Sequence, residues 1–232
     1  MRLAALSLAF GLLFTPALAG PMLVNSSLGD LYLVDPDAGT AKLLSKTPQM
    51  FDIAISGKGQ VIGVTGHGHV LEITPKTGKT RQIGRTGEFI NSLGFDLQDN
   101  LIGAGNGSIY RIDLATGLVE KLLSIPGFLS SGDLAAGPDG AIYATSLGPR
   151  GDQLYRIDPG KGSYAKVGDG IGAGRVYGMA MVDGRMIGMT EANQIVEIDL
   201  VTGKGRSLGA GLIAGNCYGA ASIGEVSDLI SS

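Results

Sequence analysis

The sequence predicts an all-β fold, a five-bladed β-propeller built from four-stranded blades. The first observation is a sequence motif that occurs five times, as "LYLVDPDAGTAKLL", "VLEITPKTGKTRQIG", "IYRIDLATGLVEKLL", "LYRIDPGKGSYAKVG" and "IVEIDLVTGKGRSLG". Its turn glycines are separated by 39, 39, 45 and 41 residues and are Gly39, Gly78, Gly117, Gly162 and Gly203. The second observation is a further pair of apolar runs before each later copy. A period of about 40 residues with four strands is typical of a propeller blade.

Each copy of the motif is predicted to form a hairpin of two strands around a tight turn. Such turns usually need one residue with a positive φ, which glycine adopts without steric cost. The side chain that opens each turn can accept backbone N–H groups within it. These positions are Asp35, Thr74, Asp113, Asp158 and Asp199. Because they recur in every repeat, we interpret them as turn residues and not as catalytic acids.

The segments between the copies supply the two inner strands of each blade. They read "FDIAISGKGQVIGV" from Phe51, "SLGFDLQDNLIGA" from Ser92, "GDLAAGPDGAIYA" from Gly132 and "VYGMAMVDGRMIGM" from Val176. Each contains two short apolar runs around a Gly, Asp or Asn turn, which indicates a hairpin. Apolar runs without clean alternation suit strands that are covered on both faces.

The two ends of the chain predict how the ring closes. The N-terminal part supplies only three strands, in "MLVNSS", "DLYLVD" and "TAKLLS". The missing innermost strand is "CYGAAS", Cys217 to Ser222, which resembles "VYGMAM" from Val176. We therefore expect five blades, with a C-terminal innermost strand completing the N-terminal blade and leaving no unpaired chain end.

Residues 1–19 have the pattern of a cleaved signal peptide. Arg2 precedes an apolar core from Leu3 to Phe14, and Ala17-Leu18-Ala19 forms a small-residue cleavage site. The core is shorter than the roughly 20 residues of a membrane span, so we expect no transmembrane segment. The predicted propeller domain is residues 20–223, followed by a short tail at 224–232. This organisation predicts a periplasmic or secreted protein.

Composition narrows the classes of partner. The 232 residues carry a formal net charge of −3, which gives no electrostatic footprint for nucleic acid. Cys217 is the single cysteine, so no internal disulfide can form, and its apolar surroundings predict a buried thiol. We expect a monomer whose partner is a protein or a small-molecule ligand.

Candidate functional residues lie where loops and innermost strands meet the predicted channel mouth. The candidate ligand-binding residues are Asn91, Arg150, Arg175, Tyr177 and Tyr218. The candidate metal ligands are Asp52, Asp133, His67 and His69. The two aspartates could hold a hard cation such as Ca²⁺, or they could bond to backbone amides instead. The histidines in "GHGH" could share a metal such as Zn²⁺ with an acid from another blade, or belong to an ordinary polar hairpin.

The repeat pattern "LYxIDPxTG" resembles the bacterial YVTN/NHL-like propeller repeats. The segment "LAAGPDGAIYATS", from Leu134 to Ser146, is similar to blades of the SMP-30/gluconolactonase-like superfamily. The resemblance implies an exported bacterial propeller, and for SMP-30-like lactonases a single metal held by Glu, Asn and Asp near the channel mouth. The innermost strands here contain no Glu, and two of them have Gly at the corresponding place, Gly178 and Gly219.

Two functions follow from these observations. The first is an exported, non-catalytic propeller that binds a ligand or protein through its loop face and channel mouth, without a cofactor. The alternative is a metal-dependent hydrolase of the SMP-30-like lactonase type, with one divalent cation. Fold alone does not choose between them, so the sequence leaves open whether the protein is an enzyme.

Overall fold

The computed structural model describes residues 20–223. The predicted signal peptide and C-terminal tail lie outside the described residues. Within them, twenty strands form five separate four-stranded antiparallel sheets, and there is no α-helix. The predicted five-bladed β-propeller is therefore confirmed.

The blades follow one another along the chain, and all but one are continuous in sequence. Blade 1 contains β1 (Met22–Ser26), β2 (Asp30–Asp35), β3 (Thr40–Lys46) and the distant β20 (Cys217–Ser222). Blade 2 contains β4 (Asp52–Ile55), β5 (Val61–Val64), β6 (His69–Thr74) and β7 (Lys79–Arg85). Blade 3 contains β8 (Ser92–Phe95), β9 (Leu101–Gly105), β10 (Ser108–Ile112) and β11 (Val119–Ser124). Blade 4 contains β12 (Ser130–Ala136), β13 (Ile142–Ser146), β14 (Gln153–Asp158) and β15 (Ser163–Val167). Blade 5 contains β16 (Val176–Val182), β17 (Arg185–Thr190), β18 (Gln194–Ile198) and β19 (Gly205–Ala210).

Ring closure occurs in blade 1, as the two chain ends predicted. Strand β20 pairs antiparallel with β1, with Met22 opposite Ser222 and Val24 opposite Ala220. The thiol of Cys217 is fully buried in this strand. The first and last described strands thus belong to one sheet, which joins the two ends of the chain noncovalently.

The apolar core lies between the blades. The described residues contain five buried clusters, and each is formed mainly by two neighbouring blades. At the closure, for example, Met22 and Val24 of blade 1 pack with Ile187 and Met189 of blade 5. Inner strands are covered on both faces, which explains their unbroken apolar runs. Outermost strands such as β7 are mostly exposed.

The recurring turn acids are confirmed as turn residues. The Oδ1 atom of Asp35 accepts the backbone N–H groups of Asp37 and Ala38, at 3.0 and 2.9 Å. Asp113, Asp158 and Asp199 accept N–H groups in their own turns in the same way. At Thr74 the backbone carbonyl accepts the N–H of Gly78 instead. The five turn glycines have φ between 61° and 74°, the left-handed region that these turns require.

One interval of 45 residues departs from the period because blade 4 carries a longer loop. Residues 147–152 join β13 to β14, whereas residues 106–107 suffice between β9 and β10. A short 3₁₀ turn, Pro159–Lys161, also follows β14. The longer loop places Arg150 and Asp152 at the end of the ring where the innermost strands begin. We call this end the mouth face.

The described residues contain no helix that is long and apolar enough to cross a membrane.

The ring closure leads to a test by truncation. A chain that ends at Asn216 lacks β20 and leaves β1 as an unpaired, buried edge. Because buried backbone groups without partners are costly, we expect this chain to lose cooperative thermal unfolding, as followed by circular dichroism. A chain that ends at Ile223 keeps every described strand and serves as the control. Equal melting of the two chains would contradict closure by β20.

Candidate functional site

The channel axis is organised by two buried carboxyl groups, Asp52 and Asp133. Each lies on an innermost strand and is fully buried. The Oδ1 atom of Asp52 accepts the N–H of Ile53 at 2.7 Å. Its Oδ2 atom accepts the N–H of Leu93, on the next blade, at 2.6 Å. Asp52 therefore connects the innermost strands of blades 2 and 3.

Asp133 makes the corresponding connection for the other three blades. Its Oδ1 atom accepts the N–H of Leu134 at 2.6 Å. Its Oδ2 atom accepts the N–H of Met179 at 2.5 Å and that of Ala220 at 3.1 Å. Together with the N–H groups bound by Asp52, these are five equivalent donors, one from each blade. An innermost strand is an edge strand, and two carboxyl groups supply the acceptors that this edge lacks.

The two carboxyl groups also interact with each other. Burial raises the pKa of both well above the ordinary value, and the charge of Asp133 raises the pKa of Asp52 further. Two adjacent buried carboxylates cannot both ionise at low cost. The pair, which we call the axial carboxyl pair, therefore retains a proton.

This arrangement fits a shared proton better than a metal ion. All four carboxyl oxygens of the axial carboxyl pair accept backbone N–H groups. A hard cation needs free lone pairs that converge at about 2.3–2.6 Å, and N–H dipoles pointing at the same oxygens oppose it. In the part of the chain that the structure describes, no group of three or more His, Cys, Asp and Glu side chains is placed to hold a metal.

The two predicted histidine ligands lie apart from the axial carboxyl pair. His67 is exposed in the loop between β5 and β6, and His69 begins β6. The guanidinium group of Arg85 donates to the carbonyl oxygen of His67, at 3.0 and 3.3 Å. The backbone N–H of His69 donates to Thr65 Oγ1 at 3.1 Å. Binding of Ca²⁺ or Zn²⁺ by any of the four predicted residues stays a prediction.

A pocket opens above the axial carboxyl pair on the mouth face. Its cavity measures about 200 Å³, and its lining residues are Phe51, Phe89, Asn91, Ser131, Gly132, Tyr177 and Tyr218. We call this the mouth pocket. Five of these residues are equivalent, because each lies two positions before one of the N–H groups bound by the axial carboxyl pair. Every blade thus contributes at least one residue to the pocket wall.

Aromatic rings form most of this wall. Phe51 and Phe89 pack edge to face, with ring centroids 5.9 Å apart. Tyr177 and Tyr218 form a second edge-to-face pair, with centroids 6.5 Å apart. A Cβ atom on Gly132 would come within 2.9 Å of the Tyr177 Cα and 3.1 Å of its ring. The glycine therefore lets Tyr177 lie close against blade 4.

Two polar atoms of the pocket residues are buried without a hydrogen-bond partner. They are Asn91 Oδ1 and Ser131 Oγ. The Asn91 amide is held in place, because its Nδ2 atom donates to the Ser130 carbonyl oxygen at 3.0 Å. Ser131 as a whole is only 9% exposed. Buried polar groups normally have partners. The Ser131 hydroxyl lies close enough to Asp152 to lower the pKa of that carboxyl, so Asn91 Oδ1 is the atom that indicates a site completed by a ligand.

An ionisable group lies behind Ser131. Asp152 Oδ2 accepts the N–H of Val176 at 2.8 Å, whereas Oδ1 makes no hydrogen bond of good geometry. Burial raises the pKa of Asp152 to about 6, while the nearby Ser131 hydroxyl and Arg175 lower it and Glu191 raises it. Burial also raises the pKa of Tyr177, and the charge of Glu191 raises it further, whereas the charge of Arg175 lowers it. Asp152, Arg175 and Glu191 thus form a charged edge beside Tyr177.

The structure brings together three of the five predicted ligand-binding residues. Asn91, Tyr177 and Tyr218 line the mouth pocket, and Arg175 contacts it through Tyr177. Arg150 is exposed in the loop at residues 147–152 and is not part of the lining. Ligand binding by these residues stays a prediction.

Sequence reasoning missed four lining residues: Phe51, Phe89, Ser131 and Gly132. Phe51 and Gly132 could have been found, because they align with Asn91, Tyr177 and Tyr218 in the five inner strands. Phe89 and Ser131 have no such signal, since only packing across blades carries them to the pocket. Phe128, another loop aromatic, is buried instead and packs edge to face on Tyr155 at 5.2 Å.

The opposite end of the channel is apolar. A cavity of about 250 Å³ is lined there mainly by the second halves of the innermost strands, including Ile55, Phe95, Ala136 and Met181. The axial carboxyl pair lines neither this cavity nor the mouth pocket. The two ends of the channel therefore differ in chemistry, because the mouth pocket has four aromatic rings and the opposite cavity has mainly aliphatic side chains.

The axial carboxyl pair predicts an unusual dependence of stability on pH. Both folded-state pKa values lie above the ordinary 3.8, so above pH 4 the folded state holds more protons than the unfolded state. Stability from this pair is therefore fully present at low pH and falls as pH rises toward the folded pKa values, by up to about 1.4 kcal/mol per pH unit for each retained proton. We expect Asp52→Asn to flatten this slope in urea unfolding between pH 4 and 8. The exposed Asp169→Asn is the control, and a slope unchanged in Asp52→Asn would count against the shared proton.

Gly219 provides a packing test of the same region. A Cβ atom there would collide with Asp52 Oδ1 and lie 2.8 Å from Asn25 Oδ1. We expect Gly219→Ala to lower the free energy of unfolding by about 1–3 kcal/mol, because a close-packed site resists an added methyl group. At Gly160 the nearest atom would be 3.6 Å away, so Gly160→Ala should change stability by at most about 1 kcal/mol. Similar unfolding midpoints for the two variants would argue against tight packing at the axis.

Comparison with solved structures supports the fold. A chain of the nidogen/laminin complex superimposes with a TM-score of 0.62 at 11% identity, covering 87% of this chain and 97% of that one. Virginiamycin B lyase from Staphylococcus aureus matches with a TM-score of 0.52 at 16% identity, covering 83% of this chain and 71% of that one. At these identities the likeness concerns the fold alone.

Sequence comparison identifies the family without identifying an activity. No curated protein matches the chain. Membership of the SMP-30/gluconolactonase-like superfamily stays a prediction. A family model described as "Repeat of unknown function (DUF6923)" matches residues 90–224, which is more than half of the chain. This β-propeller repeat protein therefore belongs to the DUF6923 repeat family.

Proposed function

We propose that this protein is an exported, non-catalytic binding propeller that holds its ligand in the mouth pocket. The ligand is a small molecule or a side chain of a protein partner. The observation that carries the proposal is a concave aromatic site whose residues include two buried polar atoms without partners. Ligand sites are typically concave and mainly apolar, with a few placed polar groups that fix orientation.

The backbone geometry of the site supports binding without rearrangement. Six of its seven residues belong to, or directly precede, innermost strands that are hydrogen-bonded to the axial carboxyl pair. A rigid wall loses little conformational entropy when a ligand enters, and this favours affinity. The pocket is also small, at about 200 Å³. It therefore suits one ring or one branched group and not an extended polymer.

The chemistry of the site supports binding more than catalysis. The two acids that a lactonase-type centre would use are buried and occupied by five backbone N–H groups. Neither acid reaches the mouth pocket. The metal-dependent lactonase stays an alternative prediction. One tightly bound divalent ion in the purified protein, together with lactone turnover that Asp52→Asn and Asp133→Asn abolish, would support it.

Export rests on the sequence pattern of residues 1–19. We expect mass spectrometry of the protein from its native source to give the mass of a chain that begins at Gly20. A mass that includes Met1 would contradict cleavage of the signal peptide, and the proposal that the protein is exported would then fail.

The double variant Tyr177→Ala and Tyr218→Ala tests the binding site. The two side chains are half-buried walls of the pocket, so we expect the variant to lose at least about tenfold in affinity for pocket ligands while keeping its fold. The measurement is a ligand-observed fluorine NMR screen with a library of small fluorinated fragments, repeated on each variant. Thermal unfolding provides the check on the fold.

Tyr164→Ala is the matched control, because Tyr164 is a tyrosine on the exposed outer strand β15. Fragments that bind the parent and the control but not the double variant would support the mouth pocket as the site. Fragments that bind all three proteins equally would place the binding site elsewhere and overturn the proposal.

A further inference from the structure

The buried polar atoms of the mouth pocket that have no hydrogen-bond partner are two oxygens. The Asn91 amide nitrogen already donates to the Ser130 carbonyl oxygen, which leaves Asn91 Oδ1 as an acceptor. The Ser131 hydroxyl is also without a hydrogen bond of good geometry and can accept. Arg175 lies close enough to Tyr177 to lower the pKa of its hydroxyl. A ligand group that meets Asn91 Oδ1 and Ser131 Oγ must therefore donate hydrogen bonds or carry positive charge.

The aromatic wall favours positive charge. Four rings from Phe51, Phe89, Tyr177 and Tyr218 line a cavity of about 200 Å³. The face of an aromatic ring carries the negative part of its quadrupole, and a cation within about 6 Å of the ring centre is attracted to it. Several rings around one cavity are the usual arrangement for recognising an ammonium group.

The charged residues around the pocket also favour a positively charged ligand. Asp152 and Glu191 both act on the charged edge beside Tyr177, where Arg175 is the opposing cation. Two acids against one base leave a net negative edge once Asp152 is ionised. Below the pocket, the axial carboxyl pair directly follows the wall residues Phe51 and Gly132 in the chain. The local field therefore attracts a cation that enters the pocket.

We propose that the mouth pocket binds an organic ammonium ion, with the aromatic rings around the cation and the Asn91 and Ser131 oxygens on its polar substituents. The inference rests on the proposed binding function and specifies the chemical class of the ligand. A primary or quaternary ammonium group meets both requirements, since it combines positive charge with an apolar surface that can lie against rings.

The test compares a cation with its uncharged counterpart. Choline and 3,3-dimethylbutan-1-ol have nearly the same shape, but only choline carries charge. In titrations followed by isothermal calorimetry or NMR, we expect choline to bind the parent protein at least about tenfold more tightly than the alcohol. The expected advantage corresponds to the strength of one or two partly desolvated cation–π contacts.

The variant Tyr218→Leu separates charge recognition from apolar contact. Leucine keeps an apolar side chain but removes the ring quadrupole, so choline should lose about tenfold in affinity, while the alcohol should change by no more than about threefold. Tyr164→Leu, on the exposed outer strand β15, is the control and should change neither. Thermal unfolding of each variant confirms that the fold is retained.

The outcomes distinguish this inference from the function on which it rests. Equal affinity of choline and the alcohol, sensitive to Tyr218→Leu, would overturn the ammonium ligand but leave a binding pocket in place. Binding of neither probe would also overturn the ammonium ligand, and the fragment screen would then decide the binding function separately. Preferential choline binding that only Tyr218→Leu weakens would support the inference.

Discussion

The innermost edge of the ring is the constraint on which the rest of the structure depends. Each blade ends at the channel in an edge strand, whose inner side has no neighbouring strand. Each such strand points one equivalent N–H toward the axis. Two buried carboxyl groups, Asp52 and Asp133, accept all five of these donors. One acid connects two blades, the other connects three, and the contact between the acids joins both sets. Five sheets that share no strands are thereby held around one centre.

The burial of two adjacent carboxyl groups has an electrostatic cost, and this cost accounts for the raised pKa values at the axis. Two adjacent carboxyl groups in a site without solvent cannot both carry a full charge, so burial raises their pKa and the pair retains a proton. The five N–H dipoles compensate part of the remaining charge. Close packing follows as well, since Gly219 leaves room for Asp52 where any larger residue would collide. The axial carboxyl pair is therefore a structural element of the ring.

The mouth pocket derives its shape from the axial carboxyl pair. Its wall residues include the residue next to each strand's axial position, so fastening the five strands also fixes Phe51, Asn91, Tyr177 and Tyr218 around one opening. Pocket walls placed by rigid strands are more precise than walls placed by loops. The loops add the variable part, namely Phe89 and the charged edge of Asp152, Arg175 and Glu191. The repeated strands thus form a rigid scaffold, and the loops add residues that differ from blade to blade.

The sequence by itself determined the blade period, the turn acids, the strand count and the closure by Cys217–Ser222, because each is a local pattern of apolar runs and turn residues. It also placed Asn91, Tyr177 and Tyr218 near the channel, because equivalent repeat positions meet at the axis. Only the tertiary structure decided what Asp52 and Asp133 do, since their partners Leu93, Met179 and Ala220 lie on other blades. It alone brought Phe89 and Ser131 to the pocket and buried Phe128. Periodicity specifies which residues are equivalent, but hydrogen bonds and burial between blades depend on packing across the ring, which no local pattern encodes.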